Sequence, residues 1–393
     1  MKRFDCFFIP FVMDLAIAMS QLMTNFRALD LGASPVTVGV LIGLGFGLPY
    51  VLGSMATGRT VPRLGARAVM IAGSALFGLG VGLTGLARAP WMLVAVAPLA
   101  GLGSGLFWPA FQTRLTADTP EETRARTSIF NVSWTIGILT GGALAGHFYR
   151  LAGPQASFGW VGALIGVLTV LLWVRVTPLA PRTIASCAEV SGPDAPERIA
   201  ARYRVMAWTA NGAIWVAASA AAAVFPRMAR DLGFSDGVIG EISAATWLGQ
   251  VALFGVLATG PWWHYRKAPL LAGLAGALLA MGLLGAGSSV LAFAGAFVLL
   301  GASRGPTQAS SVHYSLHSGA RSGANMGYHE AILGAGCVVG PLLAGALADR
   351  WGLRAPFAMG AAVVALAMGA LAVIPTGASA AFVRSAANPE VAD

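Results

Sequence analysis

Twelve apolar stretches, each near the roughly 20 residues that a bilayer-crossing helix requires, govern what this chain can fold into. They fall at 6–27, 36–57, 69–87, 91–112, 127–147, 157–176, 205–226, 237–260, 268–288, 290–312, 326–347 and 355–375, with short Gly, Pro and charge clusters between them. Backbone N–H and C=O groups find no water in hydrocarbon, so such a chain must satisfy them inside helices. Composition agrees. Of 393 residues, 56% are hydrophobic and only 10% charged, against about 25% for a soluble globular chain. A cytosolic enzyme, a secreted disulfide scaffold and a disordered chain are excluded. The expected fold class is an all-α membrane protein of twelve transmembrane helices.

The formal charge is +9. The basic residues are scattered singly between apolar runs rather than clustered on one solvated face, so nucleic acid is not an expected partner. Their placement instead reports topology. With both termini cytoplasmic, 17 of the 25 Lys and Arg fall on cytoplasmic segments and 7 on external ones, with Arg304 inside a span. That bias fits an even number of crossings and a multi-pass protein of a bacterial cytoplasmic membrane. Asp14 interrupts the first apolar run, and no small-residue cleavage site closes it. The run therefore reads as a span and not a signal peptide. Cys6, Cys187 and Cys337 have no metal-ligand or CxxC spacing and read as free thiols.

The longest polar stretch, 177–204, separates two groups of six spans. The expected organisation is a six-helix bundle over 1–176, a cytoplasmic linker over 177–204, a second bundle over 205–376 and a cytoplasmic tail over 377–393. The two groups resemble each other. Asp30-Leu31-Gly32-Ala33-Ser34 recurs 201 residues later as Asp231-Leu232-Gly233-Phe234-Ser235, and Gly39 recurs as Gly240. Gly137, Gly141, Gly146 and Gly153 recur at an offset of 199 as Gly336, Gly340, Gly345 and Gly352. Two pseudo-symmetric six-helix bundles with a site between them are the pattern of a secondary transporter.

The loop after the second span, Gly58-Arg59-Thr60-Val61-Pro62-Arg63-Leu64-Gly65-Ala66-Arg67, resembles the loop motif of the major facilitator superfamily, written G-x-x-x-D-R-x-G-R-R. Gly58, Arg63, Gly65 and Arg67 fit, whereas Pro62 stands at the acidic position. The resemblance implies a gate on the cytoplasmic side in which Arg63 and Arg67 take part, held without that carboxylate. Ala97 occupies the place of the span-four Arg found in drug antiporters of the superfamily. The Gly-Pro pattern of their fifth span is matched instead by Gly340 and Pro341 in span eleven. These departures leave the subfamily open.

Ionisable residues inside spans are the sharper functional signal, because each costs roughly 2.5–3.5 kcal/mol at a helix centre and therefore faces a cavity or a partner. Asp14, Glu330 and Glu241 are the candidate proton-coupling groups. Arg304 is expected to pair with Glu330 or Asp14, in a pair whose breakage would change the state of the gate. His329 adjoins Glu330. The resemblance implies that spans one, four, seven and ten line the cavity most directly. Candidate lining residues there are Gln21, Asn25, Trp108, Gln112, Asn211, Trp215 and Gln308, and spans five, eight and eleven add Asn131, Trp134, Trp247, Gln250, Tyr328 and His329. Amides offer substrates both donors and acceptors, and indole faces offer apolar and cation–π contact.

No Walker loop, HExxH motif or Cys/His cluster is present, so neither ATP-driven chemistry nor a catalytic metal is expected. The expected function is secondary transport of a small solute by alternating access, coupled to protons, with export favoured over import. It needs no cofactor and no enzyme chemistry, and its partners are the substrate, protons and the lipid bilayer around a monomer. A symporter or facilitator for a sugar-like or organic-anion substrate is one alternative. A non-transporting sensor or scaffold with a carrier fold is another.

Overall fold

The computed structural model describes residues 3–115, 119–177, 197–318 and 321–375. Among them are 12 helices long and apolar enough to cross a membrane. They are α1 (Arg3–Asp30), α2 (Pro35–Leu64), α3 (Ala66–Gly85), α4 (Pro90–Gln112), α5 (Pro120–Ala152), α6 (Pro154–Arg175), α7 (Glu197–Asp231), α8 (Asp236–Leu257), α9 (Lys267–Ala286), α10 (Val290–Leu316), α11 (Ser322–Trp351) and α12 (Ala355–Val373). Each expected span has its helix, and half of them are extended by several residues. The largest extension is in α7, which begins at Glu197 within the stretch expected to be linker. Its first turns stay ordered because Arg204, on a buried face, binds Glu197 at 3.0 Å. The remainder of that linker, 178–196 with Cys187, and the tail from 376 onward lie outside the described residues.

The repeated Asp-Leu-Gly-x-Ser segment is a turn built twice. Gly32 and Gly233 take φ of +75° and +84°, a left-handed conformation that costs a residue without Cβ nothing, and each ends its helix. Two residues on, Ser34 and Ser235 accept a hydrogen bond from the backbone N–H of Thr37 and Val238 and so cap α2 and α8. The sequence repeat thus encodes equal corners in the two halves. A departure from α geometry follows the first corner: Leu41–Gly47, rich in glycine, is π-helical within α2. Such segments recur where a helix serves a function.

Helix pairings repeat as well. α1 packs on α5 as α7 packs on α11; α3 packs on α4 and α6 as α9 packs on α10 and α12. Between the halves the main contacts are α2 against α11 and α5 against α8, with smaller ones of α1 and α2 against α7. Small residues make these approaches possible. The carbonyl of Pro341 on α11 fills the space beside Gly39, and that of Gly142 on α5 lies 2.8 Å from where a Cβ on Gly240 would stand. Outward, Trp160, Trp173, Leu151 and Leu366 are exposed, as an apolar belt for lipid tails requires.

Gly105 of α4 meets the backbone of Tyr50 and Ser54 on α2, whereas nothing lies within 4 Å of a Cβ on Gly82. Gly105→Leu is therefore expected to destabilise the protein by about 1–3 kcal/mol through overpacking. The measurement is the unfolding midpoint in detergent, with Gly82→Leu as the variant that leaves it unchanged.

Candidate functional site

The face where α1 begins and α12 ends is termed the terminal face, and its opposite the far face. Among the described residues, every hydrogen bond or ion pair that crosses between the halves lies at the far face. Arg230 of α7 binds Asp30 of α1 at 2.7 Å and grips Asp236, at the start of α8, through Nε and Nη2 at 2.7 and 2.8 Å. Arg150 of α5 adds a second guanidinium to Asp236 at 2.7 Å, and the Tyr149 hydroxyl donates to Asp30 at 2.5 Å. Asp236 is wholly buried, which such a group tolerates only when its charge is met from several sides. Arg227 donates to the Ala33 carbonyl, and Asn25 to the Ala222 and Ala223 carbonyls. The far face is closed.

Away from that seal no hydrogen bond or ion pair joins the halves among the described residues, and Gln112, Asn131, Tyr328 and Glu330 are exposed, the mark of a crevice between the halves that opens toward the terminal face. Arg304 of α10 lies at its depth and is only 5% exposed. Its guanidinium stands over two indoles, 3.9 Å from the Trp215 ring centre on α7 and 4.9 Å from that of Trp247 on α8. Trp247 in turn meets Trp134 of α5 edge-on at 5.7 Å across the halves. The expected ion pair of Arg304 with Glu330 or Asp14 is not formed. The tryptophans of α7 and α8 hold the guanidinium beside Cys337 of α11, and Glu330 lies seven residues, about 10 Å, along α11 toward the terminal face. Arg304 Nε and Trp215 Nε1 are buried with no protein acceptor.

Asp14 of α1 is 7% exposed, and its Oδ2 is buried without a partner. Room for it comes from Gly137 of α5, where a Cβ would stand 3.2 Å from the Asp14 Cβ. In the other half, Gly336 of α11 makes the same space for Trp215 of α7. Asp14 and Trp215 are separated by 201 residues, the offset of the repeated corner, so they are equivalent positions given opposite chemistry. Glu330 is exposed to the crevice.

The remaining expected residues divide. Gln250 donates to Gln308 at 3.2 Å beside Arg304. Asn211 is buried one turn from Trp215 with neither amide atom partnered. Asn131 accepts from Trp134 Nε1. Tyr328 is exposed against Trp208, and Gln21 and Gln112 are exposed. Other expectations require correction. Asn25 ties the far face instead of lining the crevice, because α7 carbonyls lie within its reach. Trp108 packs against Phe107, Phe111 and Phe130, a core role. His329 is buried against Ser311 at 2.6 Å. Glu241 faces His147 across the far face at 2.8 Å, remote from Asp14. Arg67 donates to the Trp173 carbonyl of its own half, and Arg63 is exposed, so neither bridges the halves in this state, whose terminal face is open.

The sequence reading missed Arg150, Arg227 and Arg230, counting them only as topology signals. Arg227 and Arg230 directly precede the second copy of the Asp-Leu-Gly-x-Ser corner, which is the signal that marked them, whereas no such signal marks Arg150.

Two matches to the family model described as Major Facilitator Superfamily cover residues 6–225 and 207–389. The sugar carrier protein C of Ricinus communis is 28% identical over 35% of this chain and 27% of its own length. The 4-hydroxybenzoate transporter PcaK of Pseudomonas aeruginosa is 27% identical over 50% of this chain and 45% of its own. The matched stretches thus span less than half of either relative. The crystal structure of nucleoside transporter NupG superposes with a TM-score of 0.76 at 11% identity, covering 95% of this chain and 98% of that one, a likeness of fold.

If Arg230 bridges the halves, Asp30→Asn should loosen the far face. Spin labels at Val36 and Leu232, both partly exposed there, report this on a cysteine-free background. The interlabel distance distribution is expected to broaden toward longer values, and a distribution as narrow as that of the parent would remove the seal.

Proposed function

The chain belongs to the Major Facilitator Superfamily, and from that premise we propose that it is a secondary carrier moving a small solute across a bilayer by alternating access, with Asp14 coupling the movement to protons. With the terminal face cytoplasmic, as the bias of basic residues supports, the closed far face and open crevice correspond to an inward-open state. The outward-open state would require the Arg230 bridge to part and the terminal ends of the halves to close. Rigid halves meeting through glycine-lined contacts can rock in this way without repacking their interiors.

Asp14 is the single observation that carries the coupling. A carboxyl at this depth without a counter-charge either holds a proton or meets a cation. No basic residue among those described meets it. A change in its proton occupancy changes the charge of the crevice by one unit, at the point where α1 leans on α5 of the same half. Glu330, exposed nearer the terminal face, would pass protons between that face and the interior. The relatives are named for a sugar and for 4-hydroxybenzoate, and they match over only part of their length, so the solute is left to experiment.

Proteoliposomes loaded with a pH dye and offered a panel of sugars, organic acids and amines are expected to show a solute-dependent internal pH change. The sign of that change gives the direction of coupling. Asp14→Asn should abolish the proton movement in protein whose unfolding midpoint is unaltered. Persisting proton movement in that variant would reject Asp14 as the coupling group.

A further inference from the structure

We propose that the crevice binds an organic monocarboxylate, with its carboxylate on Arg304 and its apolar body against Trp134 and Trp247. This deepens the carrier reading and rests on it. The inference starts from an imbalance. Arg304 is almost wholly buried, carries a charge fixed at any physiological pH and meets no carboxylate among the described residues. The two indoles stabilise it by cation–π attraction. They supply no hydrogen-bond acceptor, so the planar N–H edge of the guanidinium is unsatisfied at Nε. Buried donors without acceptors are rare in folded proteins, and each calls for a reason.

Trp215, whose ring lies under that guanidinium, carries at Nε1 a second buried donor without an acceptor, and the Asn211 amide, one turn earlier on α7, is also unpartnered. Unpartnered donors are thus carried by both α7 and α10 around one guanidinium. A carboxylate matches the guanidinium edge with two oxygens in one plane, and its spare lone pairs can take the indole N–H. The charge of the crevice selects a monoanion over a dianion. One guanidinium balances one negative charge, and Glu330, together with Asp14 whenever Asp14 has released its proton, opposes a second. A halide would balance the charge but lacks the paired oxygens and offers nothing to the indoles of Trp134 and Trp247, which stand edge to face at 5.7 Å.

The test uses the full chain in lipid nanodiscs, titrated calorimetrically with benzoate, hexanoate, benzamide, benzylamine and chloride. Benzoate or hexanoate is expected to bind, and the amide, the amine and chloride are not. Arg304→Gln should weaken carboxylate binding by roughly ten- to a hundred-fold, the effect of one charge-assisted hydrogen-bonded contact, with Arg304→Lys between the two because it keeps charge and loses the planar edge. Should Arg304→Gln fail to fold, the carboxylate-against-amide comparison on the parent protein decides. Benzamide or chloride binding as tightly as benzoate, no carboxylate binding at all, or unchanged affinity in folded Arg304→Gln would each overturn the proposal. Flux separates the two readings. Carboxylate binding without any solute flux would keep the site and remove the carrier, whereas flux of glucose indifferent to Arg304→Gln would do the reverse.

Discussion

One guanidinium, that of Arg230, holds the closed face of this protein together. It joins Asp30 of the first half to Asp236 of the second, and Arg150 closes the circuit back to the first half. Charges removed from water are stable only when met by opposite charges in good geometry. Asp236, wholly buried and held by two arginines, satisfies that condition. The crevice opens toward the terminal face because the halves are fastened at the other. The same condition makes the bridge reversible, since each group would regain water once the halves part there.

Set against that seal, the charges within the crevice are under-paired. Arg304 rests on indoles, Asp14 on a glycine, and Glu330 faces the opening. This asymmetry is informative because the scaffold around it is symmetric. Gly137 and Gly336 create the same space against equivalent turns of α1 and α7. Into those spaces the two halves place a carboxyl in one case and a cation-stabilising ring in the other. The duplicated architecture is kept where helices touch and has diverged where they face the crevice, which is the division expected if contacts maintain the fold and the crevice performs the function.

Glycine sets how the halves meet. Gly39 and Gly240 lie in the equivalent contacts α2–α11 and α5–α8, each against backbone of the other half. In a bilayer, helices associate through close packing instead of water exclusion, so these positions govern both adhesion and ease of sliding. The π-helical turn at Leu41–Gly47 belongs to this surface, since Gly43 and Gly47 abut the Val338 and Cys337 carbonyls of α11. Nothing in apolar periodicity marks a change of helical pitch, because runs of Gly and Leu look alike in α and π form.

What the sequence by itself determined was everything that depends on the chain's contrast with its solvent. Apolar length gave twelve helices, the repeated Asp-Leu-Gly-x-Ser corner gave the duplication, and the rarity of charge in spans singled out Asp14, Arg304 and Glu330. Only the tertiary structure decided which charges meet. Arg304 and Glu330 are close in sequence, on adjacent spans, yet tryptophans from α7 and α8 claim the guanidinium instead. Arg230 and Asp30 are 200 residues apart and bond directly. Partition into a membrane is a property of each segment taken alone and is written locally. Pairing depends on the rotation of each helix about its axis and on which half stands opposite, and both are fixed only when all twelve helices pack together.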